Sequence, residues 1–158
     1  MVLTVLRIVH LLSATVWVGG TVVLVFAGVP AIQTLEGEAR ATALRELGRR
    51  WRPLGWSAMG IAVLSGLWLT SLHGGFHRAA LSSDFDRALI VKSALVALLV
   101  GGALLHDYVL GPRFQREQRE QDPQAPATRR RLVVVGWLNF ALTIAVPVLG
   151  AIVLTYID

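Results

Sequence analysis

Long apolar runs alternate along this chain with short segments rich in arginine. Four runs are long enough to cross a bilayer: Val2–Gly28, Leu54–Leu72, Ala88–Leu110 and Leu132–Ile157. A hydrocarbon core about 30 Å thick takes about 20 apolar residues of helix. Backbone polar groups in that medium must be satisfied within the segment, which makes each run a helix. The pattern predicts an all-α integral membrane protein, a four-helix bundle forming a single domain over residues 1–158. The first run lacks a basic start and a small-residue cleavage pattern, so it reads as a span rather than a cleaved leader.

Charge adds an orientation. Residues 29–53 hold Arg40, Arg45, Arg49, Arg50 and Arg52, and residues 111–131 hold Arg113, Arg116, Arg119, Arg129, Arg130 and Arg131. Residues 73–87 hold only Arg78 and Arg87. By the positive-inside rule the first and third connectors lie in the cytoplasm, with both termini and the second connector outside. The expected location is the inner (plasma) membrane, multi-pass, with the lipid bilayer as the main partner. The net charge of +5 sits at span ends and is no nucleic-acid footprint. There are no cysteines, which excludes disulfides, thiolate zinc sites and iron–sulfur clusters.

Local signals refine the connectors. Apolar residues from Leu35 to Trp51 recur roughly at helical spacing, predicting an extension of helix one or two, or a helix on the membrane surface. Residues 113–131 read as a cytoplasmic linker, with Gln118–Thr128 solvated. Gly111 and Pro112 are expected to stop the third helix. Pro53 fits a first helical turn, and Pro147 is expected to kink the fourth span. No strong internal repeat stands out. Small residues such as Gly19-Gly20, Ser65-Gly66, Gly101-Gly102 and Gly136 would let backbones approach, or make room for a flat cofactor.

The chemistry lies in the few polar residues inside the spans, which are costly there. Arg7, His10 and Trp17 share one face of the first helix. Imidazole is the commonest side-chain metal ligand, although His10 could equally bond a neighbouring helix. Lys92 and His106 share a face of the third span, about 21 Å apart along the axis. Asp107 could pair with Arg113. His73 and His77, four apart in the outer connector, could begin a metal site. Asn139 and Thr143 are the polar groups of the fourth span.

The run Arg7-Ile8-Val9-His10 through Trp17-Val18-Gly19-Gly20 resembles the first helix of CopD-like copper-resistance membrane proteins. Arg52, Gly55-Trp56 and Ser65-Gly66 resemble the helix that follows in that group. The helix from Lys92 to His106 is similar both to CopD-like proteins and to HemJ-type protoporphyrinogen oxidases. The latter place a histidine in helix one and a lysine in helix three. Where that group has an aromatic-rich run and a Pro-Arg pair, this chain has Thr21–Phe26 instead.

The resemblance implies His10 as a haem ligand and Lys92 as its functional partner. The leading expectation is a haem b-binding membrane protein with a redox or electron-transfer role and a redox partner. Its cofactor-binding residues would be His10, Lys92, Arg7, Trp17 and His106. The alternative is copper transport or resistance, with His10, His73, His77 and His106 as metal-contacting residues. A third reading is a non-catalytic accessory subunit. No catalytic residue is assigned, and a homo-oligomer is compatible with all three.

Overall fold

The computed structural model describes residues 1–72 and 84–154, and the described residues are almost entirely helical. Element α1 is Val2–Val23, continued by a π-helical turn, Leu24–Gly28, and by α2, Val29–Gln33. A short turn leads into α3, Gly37–Leu72. Element α4 is Asp84–Leu104, continued by a second π-helical turn, Leu105–Leu110, and by α5, Gly111–Arg119. Element α6 is Ala125–Leu154. Four continuous helices, Val2–Gln33, Gly37–Leu72, Phe85–Arg119 and Ala125–Ile152, are long and apolar enough to cross a membrane. The expected all-α architecture with four spans is therefore present.

The chain divides into two compact units, Met1–Arg78 and Ala79–Asp158. Each is a helical hairpin: α1 packs on α3 in the first, and α4 on α6 in the second. Their seams are built mostly from small side chains, with one long apolar side chain in each. Ser13, Ala58, Met59 and Ser65 are buried in the first hairpin, and Leu99, Ala103 and Thr143 in the second. Many large apolar residues point away; Leu12 is 63% and Leu98 62% exposed. Lipid is as apolar as leucine, so burying leucine between spans gains little. Close van der Waals approach through small residues gains more. Hydroxyls inside the spans bond back along their own helix, as Ser13 Oγ does to Val9 O at 2.8 Å and Ser93 Oγ to Leu89 O at 2.8 Å. This satisfies them without water.

The expected helix extension is present: Gly37–Trp51 is the start of α3, with Leu35 in the turn before it, so the second spanning helix extends well beyond the apolar run. Other local expectations change. Pro53 lies inside α3 rather than in its first turn. Gly111-Pro112 does not stop the third helix. Pro112 instead opens α5, directly after the π-helical turn. Proline has no N–H to give and its ring crowds the carbonyl four residues back. The helix accommodates this by widening first: the Gly111 N–H bonds His106 O, five residues back. The same solution precedes Pro30, where the Val29 N–H bonds Leu24 O. The linker is also shorter than expected, because α5 runs to Arg119 and α6 begins at Ala125. The Glu120–Gln124 turn includes Gln121 at a φ of 54°, the left-handed conformation that ends many helices.

The two hairpins repeat one plan that the bare sequence did not reveal. His10 and Lys92, Gly19-Gly20 and Gly101-Gly102, and Pro30 and Pro112 correspond, each second position lying 82 residues after the first. In each hairpin the polar residue of the first helix packs over a glycine of the second: His10 over Gly66, and Lys92 over Gly150. Only a handful of positions correspond, those set by backbone geometry, and so hydrophobic patterning hides the relation.

Candidate functional site

In the first hairpin α1 delivers His10 and Trp17 to the face that meets α3. The His10 Nδ1 lies 2.9 Å from Ala62 O and 3.1 Å from Ser65 Oγ. A carbonyl only accepts, so the neutral ring carries its proton on Nδ1 and its basic nitrogen is Nε2. Gly66 makes this approach possible: a Cβ there would lie 3.0 Å from His10 Cε1. Ser65 is itself buried and donates to Ile61 O at 2.6 Å. Trp17 stacks obliquely on Trp51, ring centroids 6.2 Å apart, over Gly55. Its indole Nε1 is buried and has no hydrogen-bond partner among the described residues. Arg7 lies on the exposed side of α1.

In the second hairpin the π-helical turn carries His106 and Asp107. His106 Nδ1 meets Asp107 Oδ1 at 2.9 Å. The carboxylate accepts from Nδ1, which again leaves Nε2 as the basic nitrogen. That nitrogen faces Gly136 of α6, 3.5 Å from where a Cβ would sit. The side chains of His106 and Asp107 are 37% and 28% exposed, so the pair is ordered by the fold yet reachable. A carboxylate bonded to the far nitrogen of an imidazole fixes its tautomer and ring orientation, an arrangement found behind many metal-ligating histidines. π-Helical turns recur at functional sites because they turn side chains off the regular helical register.

Lys92 stands about 21 Å along the helix from His106, its Nζ 3.0 Å from the Cβ position of Gly150. Asn139 fills the notch at Gly102, and Thr143 is 1% exposed. The pairing of Asp107 with its neighbour His106 was not anticipated. Arg113, the expected partner, instead gives its Nε to Glu117 Oε1 at 2.6 Å and its Nη2 to Gln124 Oε1 at 3.0 Å. The partners Ala62, Trp51 and Gly150 were also missed, because a carbonyl, a connector aromatic and a lone glycine leave no polar signal in a span. His73 and His77 lie outside the described residues. Among the described residues no group of three or more His, Asp or Glu is placed to hold a metal ion together.

Beyond the apolar part of the third span, Glu117 is buried at 3% exposure. The Thr128 hydroxyl and the Arg113 guanidinium hold its carboxyl below the usual carboxylate range. A lowered folded-state value means that Glu117 adds stability above its ordinary value of 4.5. That stability is lost as pH falls through the lowered value. Thermal melts of the wild type in detergent are expected to weaken below pH 4.5, and Glu117→Gln to flatten that acid limb. An identical acid limb in both proteins would show that the carboxylate has no such role.

No curated protein and no solved structure matches the chain. The family model described as Copper resistance protein D, CopD, matches residues 45–153. The match takes in Trp51, Lys92, His106 and Asp107 and leaves out Arg7, His10 and Trp17. It covers more than half of the 158 residues, and four helices within it or flanking it can cross a membrane. The chain therefore belongs to the copper resistance protein D family of membrane proteins.

Proposed function

We propose that this protein handles copper ions as cargo in the membrane, with the His106–Asp107 pair as the group that contacts the ion. The observation that supports this most is the 2.9 Å bond from His106 to its adjacent carboxylate, inside the family-matched region. Imidazole suits copper. The chain has no cysteine, and its methionines are Met1 and the buried Met59, so soft-sulfur coordination is not the basis of the reading. The donor set fits cargo better than a resident metal, since an ion that must leave needs a site weak enough to release it. On our reading the Arg-rich end of the second hairpin faces the cytoplasm, as the positive-inside rule implies, and His106 would lie toward that side. The test is copper uptake into proteoliposomes containing the purified chain. Uptake above that of empty liposomes is expected; equal uptake would defeat the proposal.

A second reading, haem b held by His10, keeps one supporting observation. The Nδ1 bond to Ala62 O fixes that ring as ligating histidines are commonly fixed. Haem supplies one-electron chemistry when bound. The residues here would orient the ring through Ser65 and Ala62. Within each hairpin, however, the glycine notches are filled by His10, Trp51, Asn139, His106 and Lys92, so they supply no gap for a porphyrin. A Soret band in haem-supplemented preparations, lost in His10→Ala, would favour this second reading.

A further inference from the structure

Where the third spanning helix leaves its apolar run, Tyr108, Val109, Pro112, Arg113 and Arg116 line a cleft of about 390 Å³. It is an open groove whose lining residues all belong to this one helix. The lining changes character along the helix. Tyr108 and Val109, 54% and 53% exposed, continue the lipid-facing surface of the span. Arg113 and Arg116 follow one and two turns later, where the chain becomes polar.

The two guanidiniums are not equivalent. Arg113 is held in position by Glu117 and Gln124 through two of its five N–H donors. Glu117 offsets one of the two positive charges and is itself buried, facing away from solvent. Arg116 is exposed, and its charge reaches Glu117 only through space. The cleft therefore keeps a net positive charge at its polar end and an apolar wall at the other. A copper cation would be repelled there, so this is not an extension of the His106–Asp107 site.

We infer that this cleft binds the phosphate of an anionic phospholipid. The phosphate sits between Arg113 and Arg116, and an acyl chain runs along Tyr108 and Val109. Guanidinium groups match phosphate geometry with paired N–H donors, and each arginine near a membrane surface strengthens anionic lipid binding about fivefold. The apolar wall is what distinguishes a lipid from a free phosphate ion, which would gain nothing from Tyr108 and Val109.

The full chain, purified from nanodiscs of equimolar phosphatidylglycerol and phosphatidylcholine, is analysed for retained lipid by native mass spectrometry. Retention of phosphatidylglycerol over phosphatidylcholine is expected. Arg116→Gln should lower that preference about fivefold, Arg116→Lys should keep most of it, and Arg49→Gln on the other hairpin should leave it unchanged. Val109→Asn, which removes the apolar wall without adding charge, should weaken retention even with both arginines present. Equal loss in Arg49→Gln and Arg116→Gln would overturn the inference, because the effect would then be diffuse charge. Displacement of the lipid by inorganic phosphate, with no effect of Val109→Asn, would overturn it in favour of a simple anion.

Discussion

Asp107→Asn is expected to lower the affinity for copper(II) by about 10- to 100-fold, and His106→Ala to abolish binding at this site altogether. The expectation follows from the charge behind the ring. Asp107 accepts from His106 Nδ1 at 2.9 Å, and as a carboxylate it puts a negative charge behind the ring whose Nε2 would meet the ion. Asparagine keeps an oxygen that can accept the same hydrogen bond but loses the negative charge. The ring would stay in place while its donor strength falls. Removing the imidazole removes the donor itself. The measurement is copper titration of the detergent-purified protein, with helical content checked in parallel. Unchanged affinity in a folded Asp107→Asn protein would show that the carboxylate serves packing only. His10→Ala is the informative control, since His10 is oriented by Ala62 and Ser65 in the first hairpin and carries no carboxylate behind it.

Gly102→Ala and Gly20→Ala are expected to destabilise their hairpins by about 1–3 kcal/mol each, while Gly101→Ala and Gly19→Ala leave them unharmed or slightly firmer. The two members of each pair are neighbours on the same helix, so the gain in helix propensity is common to both. They differ in what faces them. A Cβ at Gly102 would overlap the Asn139 amide, and one at Gly20 would overlap the Trp51 ring. Nothing lies within 4 Å of a Cβ at Gly101 or Gly19. The indole is wide and rigid and its neighbours Trp17 and Gly55 are close, so Gly20 should be the more sensitive. Unfolding in mixed micelles gives the comparison, and Trp51→Ala in the Gly20→Ala background should recover part of the loss. If all four variants unfold alike, the notches do not hold the hairpins together.

Both predictions depend on features with different visibility in the chain. The π-helical turn at Leu105–Leu110 follows from Pro112, yet the proline alone suggested a helix stop. Whether a helix ends or widens at a proline depends on what the rest of the chain can still bury. Here α5 continues because Arg113, Glu117, Gln124 and Thr128 tie it to the start of α6. Those contacts join residues on two helices and a turn, and no local pattern encodes them. The repeat of the two hairpins was hidden for a similar reason. Leucine, valine and isoleucine exchange freely on lipid-facing surfaces, and only glycine, proline and the notch-filling residues hold their places.

The number and helical nature of the spans were decided by the sequence, because a bilayer accepts only long apolar segments with their backbone satisfied internally. The extension of the second helix through Trp51 was written there too, in its apolar spacing. Tertiary structure alone decided which polar group meets which. His10 meets Ala62 and Ser65, His106 turns to Asp107, Lys92 rests over Gly150, and Asn139 fills Gly102. Such pairings depend on the register between helices. Register in an apolar medium is set by shape, large side chain into small, and shape becomes defined only when two helices lie against each other.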